Sequence, residues 1–356
     1  MRLKRQKTDS IVGLAIEAGS IAATEVRVNG SPQLAASAIS ALEPGAFHEG
    51  EVLDSDRLTE ALKALFNEHK LPKRVRLGVG NQRVLVRTLR LPAIEDPKEL
   101  DAAIRFQAQE QIPMPLDQAV LAHQVVGGAP AAEGSTPQVD VVVVAARRDM
   151  VKSFIDPIRR AGLEPVGVDL SAFGMIRALA GVEGSAETAA EQASAVLYCS
   201  LGDVTNLAVA RGRNCLFARV SPFGLEAIAA RFATTVNLSF EHAGQWLVHV
   251  GLEQPAEEIE GDPEVVAQAR RALEEGLVSL MDELRLSLDY YGAQEGSPPV
   301  EQIVFCGPGS AIPGLAQRME AGLGTSIAVS RPQALTSLDT REAARLTLPY
   351  GLALEE

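Results

Sequence analysis

The chain has 356 residues, 46% of them apolar but only 4% aromatic, and a formal net charge of −13. Such a length suits two or three domains, or one two-lobed domain, around an aliphatic core. The acidic balance, with no basic segment beyond Met1–Lys7, excludes a cleft for duplex nucleic acid.

Cys199, Cys215 and Cys306 are widely spaced, make no metal-ligand pattern and fit a reducing compartment. No run approaches the ~20 apolar residues of a membrane span, and Met1–Ser10 lacks the apolar core of a signal peptide. The basic start reads as a solvated tail, although contact with an anionic surface would be worth about 1 kcal/mol per basic residue.

In chain order, Ile11–Ile16 reads as a strand, Glu17-Ala18-Gly19-Ser20 as a tight turn and Ile21–Val28 as the returning strand. Asn29-Gly30 is a hairpin signal before a third strand over Leu34–Leu42. Leu58, Ala61, Leu62, Leu65 and Phe66 share one face of a helix over Asp54–His69, and Arg74–Gly80 is again a strand. The texture then changes. Gln82–Leu91 alternates as a strand, and Asp96-Pro97-Lys98-Glu99 opens a helix that runs to about Gln111 and stops at Pro113-Met114-Pro115. Gly127–Gln138 reads as a loose loop, Val139–Ala145 as a buried strand and Asp149–Ala161 as a helix. Residues 81–162 are therefore expected to form an inserted subdomain. Pro165–Leu170 and Ser171–Ala180 return to strand and helix, and Gly181–Ser194 reads as a linker.

After the linker the opening pattern recurs. Ala195–Tyr198, the turn Ser200-Leu201-Gly202-Asp203, Thr205–Ala210, a second turn at Arg211–Asn214 and Cys215–Val220 predict a second strand–turn–strand–turn–strand unit, hence two related lobes. Gly251–Pro263 is a polar loop, and Glu264–Tyr291 is a long amphipathic helix with Leu273, Leu277, Leu280, Leu284, Leu288 and Tyr291 inward. Near the C-terminus Ile303–Phe305 forms a strand, Gly307, Pro308 and Gly309 force a turn, and Ser310 is placed to cap a helix starting near Ile312. A glycine turn before a helix lets backbone approach a ligand and offers N–H groups to an anion or ribose. His242 and His249 have no third ligand at a useful spacing and read as packing or surface residues. No P-loop, H-E-x-x-H or G-x-S-x-G pattern is present.

This order of elements resembles the actin-like superfamily. Five runs, in order, sharpen the likeness to the type IV pilus assembly PilM family: 91–100 (L-P-A-I-E-D-P-K-E-L), 104–116 (I-R-F-Q-A-Q-E-Q-I-P-M-P-L), 143–151 (V-V-A-A-R-R-D-M-V), 161–173 (A-G-L-E-P-V-G-V-D-L-S-A-F) and 306–315 (C-G-P-G-S-A-I-P-G-L). The resemblance implies an α/β, actin-like (duplicated ribonuclease-H-like) two-lobed fold with a small inserted α+β subdomain. It divides the chain into a first lobe (10–80 and 163–190), the FtsA-like insertion (81–162), a second lobe (191–342) and a C-terminal element (343–356) packing back on the first lobe. It further implies a cytoplasmic location at the inner face of the cell membrane, with membrane contact through partners. The implied partners are the cytoplasmic tail of a PilN-like membrane protein and other pilus inner-membrane assembly proteins, with homo-oligomerisation and the choice between a pilus and a secretion system left open.

In the actin-like superfamily two hairpin turns meet the phosphates of ATP and a glycine turn meets the adenosine, and the resemblance implies ATP binding in some members of the PilM family. This maps cofactor contacts onto Gly19, Ser20, Gly202, Asp203, Gly307, Gly309, Ser310 and Ala311, with no metal ligand assigned. The chain departs from the pattern. The aspartate that helps hold Mg²⁺ is replaced by Ala15, whose methyl cannot ligate a hard cation. Glu17 stands at a glycine position beside the phosphates, where two like charges at about 4 Å cost up to about 4 kcal/mol. At the second turn the aspartate position is Cys199 or Ser200, with Asp203 a substitute. The resulting expectation is a scaffold with a degenerate cleft, in which ATP and Mg²⁺ binding is weakened or lost and ATPase activity is weak at most. The alternatives are an active Mg-ATP-binding ATPase, which would want acids at both turns, and an FtsA-like polymer-forming protein, which would favour a basic amphipathic C-terminal helix.

Overall fold

The structure, a computed structural model, describes residues 10–29, 31–129, 137–180, 194–294 and 296–354. The basic run at the N-terminus and nearly all of the Gly181–Ser194 linker lie outside these residues. The chain opens with β1 (Val12–Glu17), β2 (Ser20–Asn29), β3 (Ser31–Ala41), the short hairpin β4 (Phe47–His48) and β5 (Glu51–Val52), α1 (Ser55–Glu68) and β6 (Arg74–Val79). There follow β7 (Leu85–Pro92), α2 (Pro97–Gln111), β8 (Ala119–Ala129), β9 (Gln138–Arg147), α3 (Arg148–Arg160), β10 (Glu164–Leu170) and α4 (Ser171–Leu179). Then come β11 (Ala195–Leu201), β12 (Thr205–Arg211), β13 (Asn214–Ser221), α5 (Leu225–Val236), α6 (Phe240–Val250) and α7 (Pro263–Gly292). The chain closes with β14 (Val300–Cys306), α8 (Leu315–Leu323), β15 (Ser326–Val329) and α9 (Thr340–Ala353).

Two five-stranded sheets carry the fold, in the orders β3-β2-β1-β6-β10 and β13-β12-β11-β14-β15. In each, the first three strands form an antiparallel meander and the last two run parallel to the first. Topology therefore repeats where residue identity does not, because the same alternation and turns suffice to build the same sheet.

Side-chain size along β1 sets the layers. Val12, Leu14 and Ile16 point to one face and are buried under α1 and α3 with Leu58, Leu62, Phe154 and Ile158. Gly13 and Ala15 leave the other face flat, and α9 lies against it: a methyl on Gly13 would stand 1.9 Å from the Pro349 carbonyl oxygen. Helices α4 and α9 thus fill the space between the sheets, packing on Ala22 and Val26 of β2 and on Tyr198, Ala208 and Val304 of the second sheet. The outer face of the second sheet is covered by α5, α6, α7 and α8. Along α7 the buried residues include Leu273, Leu280, Leu284 and Tyr291, whereas Leu277 and Leu288 are only partly buried.

The C-terminal carbonyls of α9 are satisfied from the first lobe. Arg76 donates to Leu352 O and Leu354 O at 3.3 and 2.6 Å, and Arg177, itself paired with Asp169, donates to Gly351 O at 3.1 Å.

The third sheet, β7-β9-β8, is antiparallel and packs on α2 through Leu89, Leu91, Ile104, Ala108 and Val143. Helix α3, grouped with the insertion when read from sequence, instead buries Met150, Phe154 and Ile158 in the first-lobe core. The segment from Gly127, read as loop, continues as strand to Ala129 opposite Gln138, with the register shifting between Val125 and Gly127. Pairing with β9 overrides the poor strand propensity of the glycines there.

Candidate functional site

The ends of the two lobes meet at a cleft. Its floor is formed by the β1–β2 turn and the β11–β12 turn, which lie at the carboxyl ends of equivalent strands, where open α/β sheets place their ligands. The turns touch. The Ala18 N–H donates to Asp203 Oδ2 at 3.2 Å, and the Glu17 carboxylate lies over Gly202 so closely that a methyl there would stand 2.2 Å from Oε1. Gly19, at φ +81°, faces the ring of Phe240 across the cleft. A cavity of about 640 Å³ opens from here. Phe240, Leu247 and Val248 of α6 and Ile312 after the glycine turn give it an apolar wall, and Arg341 and Arg345 of α9 give it a basic one. Glu226 stands at its edge, where His48 Nδ1 meets the carboxylate at 2.9 Å and the Glu49 N–H donates to it at 3.4 Å. The β4–β5 strap thereby links the first lobe to α5 of the second.

Gly19, Ser20, Gly202, Asp203 and Ala311 all line this cavity. Gly307 lines a small recess beside it, and Gly309 packs on Leu201. Ser310 does not cap the following helix. Its hydroxyl donates to Gly307 O at 2.8 Å within a 3-10 turn over Pro308–Ala311, and α8 begins only at Leu315 behind Gly314. A proline at 313 and the left-handed Gly314 delay the helix beyond the reach of the serine.

The choice between Cys199 and Ser200 is resolved by alternation. Cys199 points into the outer core with Leu197 and Leu201, so it does not stand in for a phosphate-turn acid. Ser200 faces the recess with Ala15 and Glu17. Glu17, Arg341, Arg345, Phe240 and Glu226 were not among the predicted contacts. A carboxylate in a tight turn is visible in the sequence, but no local signal marks two arginines one turn apart near the C-terminus as cleft residues.

Burial raises the pKa of both Glu17 and Asp203, Arg345 partly offsetting this at Glu17 and the charge of Glu17 adding to it at Asp203. Asp203 is pushed up to about 8, well above the usual carboxylate range, while its carboxyl accepts from the Ala18 and Val204 N–H groups. The folded protein then keeps a proton that the unfolded chain has lost, so this stabilisation is present at low pH and lost as pH rises from about 4 through about 8. Wild type is expected to lose more stability between about pH 6 and pH 8 than Asp203→Asn, by about 1 kcal/mol or more, given about 1.4 kcal/mol per unit. Denaturant titrations of both proteins at the two pH values read this difference directly, and parallel losses would refute it.

The two turns offer a divalent cation a poor donor set: Ala15 supplies no oxygen, and each oxygen of the Asp203 carboxyl already accepts a backbone N–H.

Two lobes of one topology, with facing hairpin turns and a glycine turn closing the crevice, define an actin-like ATPase fold. MreB 5 of Spiroplasma citri bound to AMPPNP shares it (TM-score 0.53, 11% identity, 97% of this chain and 95% of that one). So does the ethanolamine utilization protein EutJ of Carboxydothermus hydrogenoformans (TM-score 0.51, 13% identity, 96% and 88%). Within that class the chain belongs to the type IV pilus assembly protein PilM family, which matches residues 13–355. A chain of a PilM–PilN type IV pilus biogenesis complex superposes with a TM-score of 0.77 at 27% identity, covering 97% of both chains.

Proposed function

We propose that this protein is an assembly scaffold of a type IV pilus or related secretion machine that binds the cytoplasmic tail of a PilN-like membrane protein at the inner face of the membrane. The observation that carries this reading is the end-to-end match to a chain solved in a PilM–PilN complex. Among the described residues no helix is long and apolar enough to cross a membrane, so membrane association would come through the partner. The three-stranded sheet offers a docking edge. β8 is an outer strand with Val120 and Val125 exposed, and an extended tail can add to such an edge by main-chain pairing. We divide the chain accordingly into two actin-like lobes, an insertion centred on β7, α2, β8 and β9, and α9 as the element tying the C-terminus to the first lobe.

The cleft is read as non-hydrolytic. Phosphoryl transfer needs a positioned metal and a residue that orients the nucleophile, and Ala15 with Ser200 supplies neither. Titration of the full chain with a synthetic N-terminal peptide of a PilN-type protein tests the scaffold role. Binding in the tens of micromolar or tighter is expected, and silence at that concentration counts against it. Purified protein should show negligible Mg-ATP turnover. A robust rate abolished by Asp203→Asn would contradict the non-hydrolytic cleft.

A further inference from the structure

The cleft has lost its cation ligands but has a basic wall of its own. Arg341 and Arg345 are one turn apart on α9 and both line the main cavity. Arg345 reaches further, into the recess shared by Glu17, Ser20 and Ser200 at the facing turns. Strand alternation puts Ala15 and Glu17 on the α9 side of β1, so Arg345 lines the same recess as the Ala15 methyl. Among the described residues neither arginine makes an ion pair or a side-chain hydrogen bond, although Arg345 is close enough to Glu17 to favour its charged form. Two unpaired guanidiniums a turn apart repel each other, and a planar fork suits phosphate oxygens. At the far end, Phe240, Val248 and Ile312 form a wall fit for a flat apolar ring.

We propose that this cleft takes a nucleoside di- or triphosphate without a divalent cation, its phosphates held by Arg345 and Arg341. The apolar wall takes the base. The Glu17 carboxyl shares the recess with Arg345 and opposes an incoming phosphate, so it sets the affinity. The proposal rests on the reading that the cleft holds no metal.

The test is calorimetric titration of the full-length protein with ATP, ADP, adenosine and pyrophosphate, each in excess EDTA and in excess Mg²⁺. ATP and ADP are expected to bind with the same affinity in both buffers, and adenosine and pyrophosphate more weakly. Arg345→Ala should weaken ATP by at least tenfold. Glu17→Gln should tighten it several-fold, a gain that a misfolded variant cannot imitate. Binding only with Mg²⁺ overturns both this proposal and the metal-free reading beneath it. No binding in either buffer overturns this proposal alone and leaves the non-hydrolytic scaffold standing. Pyrophosphate binding as tightly as ATP, or an unchanged affinity in Glu17→Gln, also overturns it.

Discussion

Gly351→Ala is expected to destabilise the protein by roughly 3 kcal/mol or more, at the upper end of overpacking costs. Helix propensity alone points the other way, since alanine is favoured over a mid-helix glycine by about 1 kcal/mol. Packing decides the sign. Gly351 of α9 crosses α4 so closely that a methyl would stand 1.8 Å from the Gly174 carbonyl oxygen and 2.7 Å from its carbon. Those atoms are backbone and cannot rotate away. The two helices would have to separate, and they are the layer that joins the two sheets through Met175, Ile176, Leu346 and Tyr350. Opening that layer would also weaken the Arg177 bond to Gly351 O. The comparison variant is Gly292→Ala at the end of α7, where nothing lies within 4 Å and a gain of up to about 1 kcal/mol is expected. Urea unfolding of the two variants should move in opposite directions. Equal midpoints would show that the α4–α9 crossing is looser than described.

Phe154→Ala should cost about 3–5 kcal/mol, the range for emptying a buried aromatic site. Phe154 is 1% exposed on α3 and meets the ring of Phe47 edge-on at 6.0 Å between centroids. It sits in the first-lobe core with Leu62, Leu65 and Ile158. Its loss should therefore be felt twice: in global stability, and in the strap whose next residue, His48, reaches Glu226 of the second lobe. The matched control is Phe106→Ala on α2, a ring 69% exposed, for which a change within about 0.5 kcal/mol is expected. Denaturant midpoints measure both. A cost below about 1 kcal/mol for Phe154→Ala would mean that α3 moves with the insertion rather than with the lobe.

Much of the frame is legible in the residues. Large–small alternation in Val12–Glu17, the glycine turns at Gly19 and Gly202, and the spacing of Leu273, Leu280 and Leu284 each announce an element and its buried face. The capping carboxylate Asp96 announces where α2 begins, and it accepts the N–H groups of Lys98 and Glu99. The strand through Gly127 and Gly128 was not legible, because its reason for being extended is a partner strand that the local sequence does not contain. Nor was the Ser310 role, where three turn-forming residues in succession compete for one serine.

Local sequence by itself determined the two strand–turn–strand–turn–strand units and the turns between their strands, because alternation, turn chemistry and side-chain identity act over a few residues. Only the tertiary structure decided that Ser200 rather than Cys199 faces the crevice, that Asp203 is tied to the opposite turn, and that Arg341 and Arg345 enter the cleft from α9. These are contacts between segments far apart in the chain, fixed by how closely α9 can lie on the flat, small-residue face of β1.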